Sequence, residues 1–272
     1  MGNGKVASIN DVAQASGRTT VSIAGIELEL IERGAGPPIL YLHGGGGITG
    51  DLPFIDLLAK SHRVVAPSHP GFGRSGLPDW LDSADDIAHV HLELMDRCGL
   101  GKTDLIGMSV GGWIAAEMAT KVPERLSHLV LIGPVGVKTG SVDKLDLPDV
   151  FATAQDKLQR LLFHDPEKMR PDIKSMTDEQ IGIMVRNRET MALIGWEPYL
   201  HNPKLKHRLH RVNMPTLFLR GVSDGIVTAE YMDRYVRLIP RARSDIIAAA
   251  GHAPQVEQPQ ATAAKILEFL KS

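Results

Sequence analysis

Residues 105–112 read LIGMSVGG, an apolar run followed by a serine with Gly107 and Gly111 two positions away on either side. An apolar run of this length, bounded by turn residues, suits a buried strand. The stretch that follows, VGGWIAAEMATKVPERL (110–126), carries helical spacing as far as Pro123. Ser109 therefore falls where a strand predicted over 102–109 gives way to a helix. Glycine and serine are ordinary turn residues, so the pattern alone decides little. Its sharper reading is a nucleophile on a strained turn. Bulky side chains two residues from such a serine would clash with the adjoining strand and helix, and glycine avoids the clash. The turn also leaves Oγ at the N-terminus of the helix, whose amides favour developing negative charge.

Outward from this junction the same alternation repeats. TVSIAGIELELIERG (20–34) reads as a hairpin about Ala24-Gly25, and PPILYLHGGGG (37–47) and RVVAPSHPGFG (63–73) as buried strands ending in Pro/Gly loops. Between them DLPFIDLLAKSH (51–62) carries helix spacing with Asp51 as N-cap. SADDIAHVHLELMDRCGL (83–100) is a helix capped by Ser83, with an acidic first turn that suits the helix dipole. SHLVLIGPVG (127–136) is a strand, and the alternation resumes with a strand at 215–224, a helix at 228–239, a strand at 244–251 and a helix at 260–272. Strands alternating with helices predict an α/β fold with a mostly parallel, twisted sheet flanked by helices. The exception is 137–206, which is helical in pattern, as in VFATAQDKLQRLLF (150–163), and holds no convincing strand. The expected organisation is one α/β core over 1–136 and 207–272, with 1–18 as a loose arm and 137–206 as a helical insertion over the strand ends.

Composition excludes several classes of function. A net charge of −2 with scattered Lys and Arg gives no case for nucleic acid or an anionic membrane as partner. The densest basic group, KLKHRLHR (204–211), is interleaved with Leu and reads as a solvated face. No stretch reaches the roughly 18 apolar residues of a membrane span, and the first twenty residues lack a signal-peptide apolar core. Cys98 is the only cysteine, which excludes an intrachain disulfide and points to a reducing, cytoplasmic home and a buried thiol. His89 and His91 point apart on their helix, and no carboxylate or cysteine pattern beside His207 and His210 completes a metal set. Expected metals and cofactors are none.

The chemistry-bearing residues lie at strand ends. A serine needs a base, and among eleven histidines His252 stands out because Gly251-His252-Ala253-Pro254 lies between the last predicted strand and the last helix. Asp224, directly after the preceding strand, is placed to orient that imidazole, although Asp beside Gly is also an ordinary turn. LHGGGG (42–47) fails as a phosphate loop because no Lys-Ser/Thr follows, and as a dinucleotide loop because its G-x-G-x-x-G frame is absent. It reads instead as an oxyanion hole, with the amide of Gly45 or Gly46 acting alongside that of Val110.

Gly107-Met108-Ser109-Val110-Gly111-Gly112, His43-Gly44-Gly45, Pro70-Gly71-Phe72-Gly73-Arg74-Ser75, Asp224 and Gly251-His252 together resemble the α/β-hydrolase superfamily over nearly the whole chain. The resemblance implies that 137–206 is a helical cap over the active site. A serine at the elbow separates the chain from the dehalogenase and epoxide-hydrolase branches, which place an aspartate there. It implies a serine hydrolase, most simply a carboxylesterase acting on a small or medium-sized ester. The cap position and His-Gly-Gly-Gly are also similar to the carbon–carbon hydrolases of meta-cleavage products, where Trp usually follows the catalytic His and here stands Ala253. A small-molecule receptor on the same fold is the third reading. Met108, Trp196 and Arg188 are candidates to line the substrate pocket, the arginine as a bidentate carboxylate ligand. The implied partner is a small-molecule substrate, with a homo-oligomer left open.

Overall fold

The computed structural model describes residues 18–141 and 143–272. Among these residues eight strands run in chain order as β1 (Arg18–Ile23), β2 (Ile26–Arg33), β3 (Pro38–Leu42), β4 (Arg63–Pro67), β5 (Thr103–Met108), β6 (Leu126–Ile132), β7 (Thr216–Gly221) and β8 (Ala242–Ile247). The helices are α1 (Leu52–Leu58), α2 (Ala84–Arg97), α3 (Val110–Lys121), α4 (Gln155–Leu162), α5 (Asp178–Gly195), α6 (Ala229–Val236), α7 (Pro254–Glu257) and α8 (Pro259–Phe269). The strands form one sheet in the order β1-β2-β4-β3-β5-β6-β7-β8. β1 and β2 pair antiparallel with each other, as does β2 with β4, and every remaining neighbour pair is parallel. This is the mostly parallel α/β sheet that the alternating sequence predicts.

Strand side chains alternate between the two faces, so each central strand feeds two cores. Leu40, Leu42, Leu105, Leu129 and Phe218 pack on one face with α2, α3 and α6, whereas Ile39, Tyr41, Ile106, Val130 and Leu219 pack on the other with α1 and α8. The hairpin turn lies at Ala24-Gly25, both at positive φ, which places the strands in the expected register. Ser83 caps α2 by accepting from the Asp86 amide. Cys98 is buried, and that burial pushes its thiol up to about 11. Among the described residues no helix is long and apolar enough to cross a membrane.

Three local expectations differ from the structure. Asp51 precedes α1 but makes no capping bond. Its carboxyl is instead buried and accepts from Tyr41 Oη at 2.7 Å and Gln255 Nε2 at 3.0 Å. α4 starts at Gln155 and not near 150, because the Asp149 carboxylate takes the amides of Phe151 and Ala152 in a turn. β8 ends at Ile247, four residues early, where Ala249 adopts a positive φ. The expected loose arm lies almost wholly outside the described residues, since β1 begins at Arg18. Among the described residues between β6 and β7 the chain forms α4 and α5, with an isolated bridge from Gly136 to His201.

Candidate active site

Ser109 joins β5 to α3 with φ 52° and ψ −113°, a conformation that L-residues rarely adopt. Surrounding bonds over-determine it: the Ser109 amide donates to Ile132 O at 2.8 Å, and its carbonyl accepts from Trp113 N at 3.0 Å. Close packing explains the flanking glycines. A Cβ on Gly107 would stand 2.3 Å from Gly111 O, and one on Gly111 would stand 2.2 Å from Leu42 O. The turn is therefore tight because α3 begins directly against β3 and β5.

The His252 ring lies between Ser109 and Asp224. Ser109 Oγ is 2.9 Å from His252 Nε2, and Asp224 Oδ2 is 3.0 Å from His252 Nδ1. The other Asp224 oxygen accepts the amides of Ile226 and Val227, each at 2.8 Å. With the carboxylate committed as acceptor, Nδ1 carries the imidazole proton and Nε2 is free to receive one from the serine hydroxyl. All three side chains are enclosed, with Ser109 at 7%, Asp224 at 6% and His252 at 4% exposure. The sheet puts them together because β5, β7 and β8 end on the same side, where open parallel sheets bind ligands.

The glycine loop after β3 lies beside them. A Cβ on Gly44 would be 2.3 Å from Met108 Sδ and 3.4 Å from Ser109 Cβ, so Gly44 is pressed against the serine. Gly45 lies under the Met191 thioether of α5, whereas Gly46 has open space about it. Val110 is the first residue of α3, and its amide has no intrahelical acceptor. Of the expected pocket residues, Met108 packs beside Gly44. Trp196 is 61% exposed and packs on Phe151 at 5.5 Å. Arg188 is exposed as well, with its guanidinium 3.5 Å from Phe151 O. The neighbouring Arg186 is taken up by the carbonyls of Gly71 and Ser75.

Several residues at the site lack a strong sequence signal. The carbonyls at the end of α4 bond the site directly, with Leu161 O accepting from Gly225 N at 2.9 Å and Leu162 O from His252 N at 2.6 Å. Glu257 gathers the amides of Gly251, His164 and Asp165. Asn187 spans two loops, donating to Gly46 O and accepting from Gly73 N. Only the glycines beside Asp224 and His252 hint at this arrangement, since glycine often marks a close backbone approach.

The chain belongs to the alpha/beta hydrolase fold family, whose model matches residues 37–259. It is 29% identical over 260 residues to a 2-hydroxy-6-oxononadienedioate/2-hydroxy-6-oxononatrienedioate hydrolase of Burkholderia vietnamiensis, covering 86% of each chain. A pimeloyl-[acyl-carrier protein] methyl ester esterase of Photobacterium profundum is 28% identical over 252 residues, covering 88% of this chain and 96% of the other. Among solved structures, a thermophilic esterase from Thermogutta terrifontis superposes with a TM-score of 0.75 at 26% identity, covering 93% of this chain and 98% of that one.

Proposed function

We propose that the protein is a serine hydrolase that cleaves a small or medium-sized carboxylic ester through an acyl-enzyme. The observation that carries this reading is the continuous chain Asp224–His252–Ser109, with the serine at a strained turn on α3. Ser109 Oγ attacks the ester carbonyl as His252 Nε2 takes its proton, and Asp224 holds and stabilises the imidazolium. The tetrahedral oxyanion accepts hydrogen bonds from the Val110 and Gly45 amides. His252 then gives its proton to the departing alkoxide, and water repeats the sequence on the acyl-enzyme to release the acid. No metal or cofactor is needed for any of these steps. Residues 137–206 act as the cap, and the enclosed serine means that this cap moves for substrate to reach it.

The ester is favoured over an acidic dienoate because both arginines of α5 at this level, Arg186 and Arg188, have their guanidinium groups turned to backbone carbonyls. The test is turnover of p-nitrophenyl acetate and butyrate by wild type and Ser109→Ala. Expected is a loss of about 10⁴-fold or more in the variant, and undiminished turnover would sink the assignment. A second reading, hydrolysis of a carbon–carbon bond in a vinylogous diketone, is favoured by the names of relatives such as the Burkholderia enzyme. It predicts slow ester turnover and bleaching of a ring-fission dienoate chromophore.

A further inference from the structure

Beneath the glycine loop lies a cluster that the proposed chemistry does not use. His43, His69 and His91 are all fully enclosed, and they come from the end of β3, the loop after β4 and the middle of α2. His69 Nδ1 is 2.7 Å from His91 Nε2, and His69 Nε2 is 2.9 Å from the His43 carbonyl. The His69 amide donates to His43 Nε2 at 3.0 Å, and His43 Nδ1 is 2.7 Å from Gly44 O. The rings of His43 and His69 stack at 3.9 Å, with Phe72 edge-on to both.

These contacts allow one proton arrangement. A carbonyl oxygen only accepts, so His69 Nε2 carries hydrogen and donates to His43 O, which leaves His69 Nδ1 as the acceptor. His91 Nε2 must then donate to it. His43 Nε2 accepts from the His69 amide, so His43 Nδ1 carries hydrogen and donates to Gly44 O. Each ring is neutral, as burial requires: it lowers His43 to about 4 and His91 to about 3. The chain ends on two successive carbonyls, those of His43 and Gly44, and the Gly44 carbonyl also accepts from Gly47 N at 3.0 Å. Because a trans peptide is planar, fixing a carbonyl fixes the amide at its other end. The amides so fixed are those of Gly44 and Gly45, in a glycine run whose residues have no side chains of their own to hold the peptide planes.

We propose that His43, His69 and His91 are positioning residues, the His91–His69 pair holding the His43–Gly44 peptide and the His43 ring holding the Gly44–Gly45 peptide, and that together they aim the glycine-loop amides at the oxyanion formed over Ser109. The proposal rests on the serine-hydrolase reading. Gly44, pressed against Ser109, brings the effect to the reacting carbon. The relay acts only through hydrogen bonds to carbonyls and transfers no proton during turnover.

The test compares His91→Leu, which removes the donor to His69, with His91→Gln, whose amide restores one. Expected in His91→Leu is a fall in kcat of about tenfold with KM within about twofold, because aim matters to the transition state more than to substrate binding. Binding of a trifluoromethyl ketone, whose adduct bears an oxyanion, should weaken by the same factor. His91→Gln should recover most of both. Equal losses in the two variants, or an unchanged ketone affinity in His91→Leu, would overturn the relay. Should His91→Leu fail to fold, wild type decides the matter: histidine ¹⁵N spectra at pH 7 should show His43 as the Nδ1–H tautomer and His69 and His91 as Nε2–H. Any other pattern overturns the proposal. A fluorophosphonate probe separates the two levels of inference. An unlabelled Ser109 defeats the hydrolase reading and the relay together, whereas a labelled Ser109 with wild-type kinetics in His91→Leu defeats the relay alone.

Discussion

The helices α4 and α5, which lie between β6 and β7, hold the rest of the molecule in different ways. α4 joins it through main chain: the carbonyls of Leu161 and Leu162 bond Gly225 and His252, and Gly225 and Gly251 lie flat against that backbone. α5 joins it through side chains, with Asn187 between the 44–47 and 71–73 loops and Thr190 and Arg186 on Gly71 O. A backbone contact at a glycine has no rotamer to release. A side chain can swing out and exchange its bond for water at a net cost of only about 1 kcal/mol. The end of α4 is thus tied by main chain to the loops that carry Asp224 and His252, whereas α5 is held by bonds that side-chain rotation can release.

The sharpest way to break this distinction is Gly251→Ala. The new Cβ would stand 2.4 Å from Leu162 O and 2.8 Å from Phe163 Cα, both backbone atoms. Either α4 or the His252 loop must shift, with an overpacking cost of about 1–3 kcal/mol. A 1 Å misplacement at the base costs about 10²-fold in rate. The expected result is a kcat loss of that size with a lowered Tm, read by steady-state kinetics and thermal unfolding. Glu257→Gln comes next. Its NH2 group must face one of three converging amides, leaving a donor unpaired at a cost of about 1–3 kcal/mol. Hydrogen exchange should quicken at 164–165 and 251 but not at 44–47. Asn187→Ala is expected to do the reverse, speeding exchange at 46–47 and 73 and moving KM more than kcat.

The smallest effect on either helix should come from a contact wholly inside the core. Asp51 is raised to about 6, chiefly by burial, against which the bonds from Gln255 and Tyr41 pull it down. A raised carboxyl pKa means that the folded state holds its proton more tightly than the unfolded chain. The stability it contributes is complete below about pH 4 and is lost as pH rises through about 6. Asp51→Asn should abolish that slope, opening a difference of up to about 2–3 kcal/mol in favour of the variant by pH 7. Hydrogen exchange in α4 and α5 should not change. Denaturant midpoints at pH 4 and pH 7 measure the slope.

The legible parts of this chain are those whose signals are local. The apolar runs of β3 to β7 are bounded by turn residues, Ser83 caps a helix three residues from its partner, and Ser109, Asp224 and His252 each follow a strand. Parallel strands bring their C-terminal ends together, so the order of those three residues in the chain already implied one site. What escaped depends on contacts across long separations. Asp51 reads as a cap from its neighbours, yet its partner Gln255 lies 204 positions away. His91 reads as a helix residue pointing away from His89, and nothing nearby in sequence announces His69, 22 positions earlier. Arg188 on α5 and Trp196 just past its end carry the chemistry of a pocket wall but are exposed, because a helix has two sides and composition does not say which one faces the core.

Cys98 gives the molecule a practical property. The chain has one sulfhydryl, enclosed under α2 and held in its protonated, unreactive form by burial. To an alkylating dye the native protein is blank. Cysteines introduced at the exposed positions Arg160 on α4 and Met184 on α5 would be the only sites modified, so a fluorophore pair there would read out the distance between the two helices.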